Sequence, residues 1–138
     1  MKIANDECRM TNTEPLAKYP GISDLKERTK KFALDVMRFS ETFSQKREYW
    51  ALTQQLIRCA SSVGANYRAA CRARSVADFL SKMSIVEEEA DEAMYWLELV
   101  EESGLPKDAE LQRLKDEANQ LVAITVASKK TARANHTS

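Results

Sequence analysis

Apolar residues recur along this chain in four stretches, at alternating steps of three and four that return each side chain to one side of a helix. Leu25, Thr29, Phe32, Val36, Phe39 and Phe43 mark the first. Leu52, Leu56, Cys59, Val63, Asn66 and Ala70 mark the second, with one polar amide set inside the stripe. Phe79, Met83, Val86, Ala90, Ala93, Leu97 and Val100 hold strict heptad register in the third, and Leu111, Leu114, Ala118, Leu121 and Thr125 carry the fourth. The punctuation agrees with the periodicity. Asp24 with Glu27, and Ser75 with Asp78, have the spacing in which a short polar side chain takes an unpaired amide at a helix start. A polar run at residues 44–47 separates the first two stripes, and Ser103, Gly104, Leu105 and Pro106 form a stop after the third, because Gly accepts a left-handed backbone and Pro cannot continue a helix.

The pattern predicts an all-α protein: a flexible leader over residues 1–21, a four-helix unit over residues 22–130 and a frayed tail over residues 131–138. The fourth helix is expected to run from about Lys107 to Lys129. Short turns force neighbouring helices to run antiparallel, so the expected fold is an up-down-up-down four-helix bundle with crossings near 20°. The second helix is thin, with Ser61, Ser62, Gly64, Ala65, Ala69 and Ala70. Gly64 costs up to about 1 kcal/mol against Ala inside a helix, and close approach of a neighbouring backbone is the expected compensation.

Composition narrows the class. A chain of 138 residues with 43% hydrophobic content suffices for one modest core, and three Gly and three Pro leave long helices uninterrupted. The formal net charge is zero, which removes the broad basic character of most nucleic-acid-binding domains. No stretch reaches the roughly 20 apolar residues that cross a bilayer, and the opening MKIANDECRM is acidic where a signal peptide is apolar. A cytoplasmic protein without membrane contact is the expectation. Cys59 and Cys71 fall on one helix about 18 Å apart at 1.5 Å per residue, beyond disulfide reach, so reduced thiols are expected.

Charge is divided sharply between the two middle helices. From residue 47 to 74, Arg47, Arg58, Arg68, Arg72 and Arg74 stand against Glu48 alone. From residue 75 to 104, Lys82 stands alone against nine carboxylates. Such polarity within a neutral chain implies attraction between the two helices or between subunits. Arg58, Arg68, Arg72 and Arg74 are candidate phosphate contacts for RNA or DNA, able to position a backbone without reading bases. Ion pairing with the acidic helix competes with that role and is favoured by the zero net charge. Tyr95, Trp96 and Leu99 fall off the heptad stripe, and with Ile85 they are a candidate oligomer interface, since large apolar groups beside charges mark protein contacts. Asn66 is expected to be a buried polar group that fixes helix register, as an asparagine does in a coiled coil.

Catalytic readings are weak. Di-iron bundles need Glu-x-x-His pairs, and the single histidine is His136, near the end of the chain. No zinc spacing is present, and no metal, cofactor or small-molecule substrate is expected. Glu88, Glu89 and Glu92 form E-E-x-x-E, similar to the magnesium-binding motif of all-α nucleotide pyrophosphohydrolases, but the Glu-x-x-Asp of the next helix is missing. A charged face that pairs with arginines is the favoured reading of this run.

One longer resemblance covers residues 22–125. The segment Leu52-Thr53-x-Gln55-Leu56-x-Arg58-x-Ala60-x-Ser62-Val63-x-Ala65-Asn66-Tyr67 carries it, with Arg72-Ala73-Arg74-Ser75 and Asp78-Phe79. It resembles the bacterial four-helix-bundle proteins called 23S rRNA-intervening sequence proteins, or the S23 family. Ile85-Val86-Glu87-Glu88-Glu89-Ala90-Asp91-Glu92, with Tyr95-Trp96-Leu97-Glu98-Leu99, is similar to a subgroup in which this helix is especially acidic. Characterised relatives form five-subunit rings, and the accessory variability proteins of diversity-generating retroelements are distant relatives that bind nucleic acid through a basic surface. The resemblance implies a ring-shaped homo-oligomer, a pentamer first of all. It implies no catalysis, and the expected function is that of a non-enzymatic scaffold with a protein or ribonucleoprotein partner.

Overall fold

A computed structural model describes residues 25–43, 46–104 and 109–137. Four helices follow one another: α1 over Leu25–Glu41, α2 over Trp50–Cys71, α3 over Val76–Glu102 and α4 over Ala109–Thr137, with a single 3₁₀ turn at Arg47–Tyr49 ahead of α2. No strand occurs among the described residues. The expected leader, the Asp24 cap and Pro106 lie outside them.

The predicted stripes of α1, α3 and α4 are buried at every position named above. At the end of α1, Phe39 and Phe43 meet edge to face with ring centres 5.3 Å apart, closing the core beneath the turn. Thr29, also in the core, donates its hydroxyl to the Leu25 carbonyl at 2.9 Å, which satisfies a polar atom that burial would otherwise penalise. Ser75 caps α3 by accepting from the Asp78 amide at 3.0 Å, and Gly104 ends that helix region with φ 89°, a conformation open to Gly without side-chain strain.

Cross-helix pairs fix the directions. Arg28 of α1 meets Glu117 of α4 at 2.6 Å, whereas Asp35, further along α1, meets the earlier Arg113 at 2.8 Å. Glu87 of α3 meets Lys129 at 2.8 Å, whereas Glu101 meets Lys115 at 2.9 Å. Both pairs of helices therefore run antiparallel. α1 packs on α2, α2 on α3, α3 on α4 and α4 back on α1, with no direct backbone approach across either diagonal. This is the arrangement of a four-helix bundle. Gly64 sits where α2 crosses α1: a Cβ there would lie 3.5 Å from Thr29 Oγ1 and 3.6 Å from the Thr29 carbonyl oxygen. The approach is close, yet it leaves room for a methyl group.

Two expectations need correction. The chain beyond Lys130, expected as a frayed tail, is helical to Thr137, because Ser128 and Ala132 extend the buried stripe and both are fully covered. Asn66 is half-buried and does not bridge helices; its Nδ2 donates to the carbonyl and hydroxyl oxygens of Ser62, one turn earlier, at 2.9 Å each. Tyr67 takes the interior place instead, 2% exposed, between Val63 and Ala70, which are both fully covered.

Candidate functional site

The densest cluster of polar groups lies where α2 faces α3. Arg58 projects from the outer side of α2, and its guanidinium spans two carboxylates that α3 places one turn apart: Glu89 at 3.0 Å and Glu92 at 2.6 Å. Glu92 Oε2 also accepts from the Cys59 thiol at 3.0 Å and from Trp96 Nε1 at 3.1 Å. Those two donors, with the positive charge of Arg58, outweigh partial desolvation and hold the Glu92 carboxyl below its usual range. Burial, then the negative neighbour Glu92, pushes the Cys59 thiol up to about 12, so it stays protonated and unreactive near neutral pH.

Cys59 Sγ and oxygens of Glu89 and Glu92 lie within 4.8 Å of one another, a spacing that fits a metal ion. The donor chemistry argues otherwise: Arg58 already supplies the cation, and a thiol with so high a pKa is a poor ligand. The E-E-x-x-E carboxylates also diverge. Glu89 and Glu92 turn to Arg58 while Glu88 points to solvent, and Glu87, just before the motif, turns to Lys129 on the opposite flank. Carboxylates divided in this way do not converge on one cation.

A second cluster joins α1 to α4. Asp35 is buried, which alone would raise its carboxyl, but hydrogen bonds from Lys31 at 2.7 Å and Arg113 at 2.8 Å prevail and lower it. Glu110 shares Arg113 at 2.7 Å and is lowered chiefly by that bond. This network clamps two helices and needs no ligand to complete it.

The four candidate phosphate contacts lie in different surroundings. Arg58 is engaged as described, while Arg68, Arg72 and Arg74 are exposed and form no ion pair among the described residues. Arg68 borders an open groove of about 350 Å³ between α1 and α2, lined by Lys26, Lys30 and Ala33 on one side and Ser61, Gly64, Ala65 and Arg68 on the other. Sequence reasoning passed over Lys26 and Lys30. Their four-residue spacing beside the apolar stripe was the available signal, but nothing in the sequence placed α1 against the arginine flank of α2.

The four candidate interface residues share one side of α3. Tyr95 is 52% exposed, and Ile85, Trp96 and Leu99 are half-buried. Tyr95 and Trp96 meet edge to face at 5.2 Å, so the tyrosine stands on a ring that is itself fixed to Glu92. No helix among the described residues is long and apolar enough to cross a membrane.

Comparison with known proteins gives a family and a fold. The family model for the 23S rRNA-intervening sequence protein matches residues 23–127. A protein of unknown function from the S23 ribosomal protein family of Bacteroides thetaiotaomicron VPI-5482, known from its crystal structure, is 26% identical with a TM-score of 0.71; the match covers 76% of this chain and 97% of that one. No curated protein matches the chain.

Proposed function

The chain belongs to the 23S rRNA-intervening sequence protein family, and from that premise we propose that it is a self-assembling, non-catalytic scaffold that works as a ring of copies, a pentamer first of all, and presents a surface to a protein or ribonucleoprotein partner in the cytoplasm. The observation that carries this reading is the side of α3 that bears Tyr95 at 52% exposure, with Ile85, Trp96 and Leu99 half-buried beside it. Apolar groups of this size gain free energy when a partner covers them, at roughly 25 cal/mol per Å² of apolar surface removed from water. The chemistry-bearing groups support the same reading. Glu87, Glu89, Glu92, Asp35 and Glu110 are each paired with a lysine or arginine, and the Cys59 thiol is held protonated.

Native mass spectrometry of the untagged protein tests the reading: a ring-sized homo-oligomer is the expected species, and a monomer at micromolar concentration would sink it. Exposed Arg68, Arg72 and Arg74 support a second reading, nucleic-acid binding through phosphate contacts. That reading requires affinity for structured RNA that falls steeply with salt, with a log–log slope near −1 for each phosphate neutralised.

A further inference from the structure

We propose that the outer face of α3 docks onto the α1/α2 face of a second copy of this chain, so that copies join head to tail; this rests on the self-assembly reading above and names its interface. The two faces are complementary in charge and in apolar content. The groove end of the α1/α2 face carries Lys26, Lys30 and Arg68, and among the described residues no carboxylate lines it. Leu34 and Met37, 41% and 45% exposed, follow Lys30 by four and seven residues and continue its side of α1. Trp50, 61% exposed, opens α2 at the end where α1 finishes. That face therefore passes from basic to largely apolar along the bundle, with exposed Glu41 at the end of α1 on the same line. On α3, every exposed charged position is acidic, Glu88, Asp91, Glu98 and Glu102, with exposed Tyr95 among them.

Symmetry narrows the geometry. Two copies that join with their groove ends together would oppose lysines and arginines, and α3 against α3 would oppose carboxylates along the whole face, so neither contact satisfies the charges of both partners. The remaining pairing uses different surfaces on the two partners, and such contacts close into rings when the rotation between copies permits. The groove floor of Ala33, Ser61, Gly64 and Ala65 is built of small side chains, which admits an incoming helix at short range. The chain's net charge of zero favours a copy over a polyanion, because it gives no surplus attraction for nucleic acid, while the α3 carboxylates present the matching charge within the same molecule.

Reciprocal charge reversal tests the docking. Lys30, Arg68, Glu88 and Asp91 are all exposed, so their replacement leaves the core intact. Lys30→Glu with Arg68→Glu, or separately Glu88→Lys with Asp91→Lys, should raise the concentration at which the oligomer dissociates at least about a hundredfold in mass photometry and light scattering. The four changes together should restore assembly, because each face meets its reversed complement. A wild-type oligomer that survives both double variants, or a fourfold variant that fails to reassemble while it retains the helical circular dichroism of the wild type, overturns this interface and leaves self-assembly standing. Retained assembly with lost binding of structured RNA in Lys30→Glu/Arg68→Glu would overturn it too and assign the groove to phosphates. A monomeric wild type would instead refute the self-assembly reading on which it rests.

Discussion

Raising the pH should destabilise this protein through Cys59, and the size of the effect follows from its surroundings. The thiol is fully covered and donates to a carboxylate, which together push it up to about 12 from an ordinary 9.0. For an acid whose folded pKa is raised, the unfolded chain releases its proton first, so stability is complete below pH 9 and declines above it, at about 1.4 kcal/mol per pH unit until the folded value is reached. Between pH 8 and 10.5 the loss comes to about 2 kcal/mol, and a folded value one unit lower would reduce it by only about 0.1 kcal/mol. The assay is urea unfolding of the wild type and Cys59→Ala, with the difference in stability followed across that range. The variant lacks a buried sulfur and should cost about 1–2 kcal/mol at pH 7, a penalty independent of pH. All other groups are common to both proteins and cancel in the difference, so the variant should lose its disadvantage and become the more stable or equal protein near pH 10.5. Curves that fall in parallel for the two proteins would refute the thiol–carboxylate account.

Four further outcomes follow from the contacts. Gly64→Ala should be neutral or raise stability by up to about 1 kcal/mol, since the added methyl meets Thr29 at ordinary van der Waals distance; a lower melting temperature would mean the helices sit closer than 3.5 Å allows. Arg58→Met should cost about 1 kcal/mol by leaving the largely covered Glu89 without its cation, and Arg58→Lys should recover only part of it, because an ammonium does not span two carboxylates; both are read by chemical denaturation. Asp35 and Glu92 have lowered folded pKa values, so the stability they contribute is present above their unfolded values and is lost as the pH falls. Differential scanning calorimetry from pH 6 to pH 3 should therefore show a shallower decline in Asp35→Asn than in wild type. Ala132→Asp should lower stability by about 2–4 kcal/mol by burying an unpaired carboxylate, whereas a frayed chain end would leave the unfolding transition unchanged.

The class, the number of helices and most of the interior are legible in the order of residues alone. In α1 and α3 the periodic residues are large and apolar, Phe32, Phe39, Phe79 and Met83 among them, so only one helical face can be buried and the stripe reads directly as core. The family was legible from a different signal, the motif along α2 from Leu52 to Tyr67 and its continuation through Asp78 and Phe79 at the start of α3. Where side chains are small or two-natured, the pattern underdetermines the fold. Ser128 and Ala132 carry too little hydropathy to mark the last turns of α4, which are held by the neighbours they meet. Asn66 and Tyr67 sit side by side among Ala, Ser and Gly, so either could face inward; packing selected the residue with the larger apolar area. Tertiary structure alone decided the pairing of charges. Linear order shows a basic helix followed by an acidic one, but Arg58 reaches carboxylates 31 and 34 residues away while Arg68 turns to the opposite flank beside Lys26 and Lys30. Coulomb attraction depends on separation in space, and only the folding of four antiparallel helices against one another sets that separation.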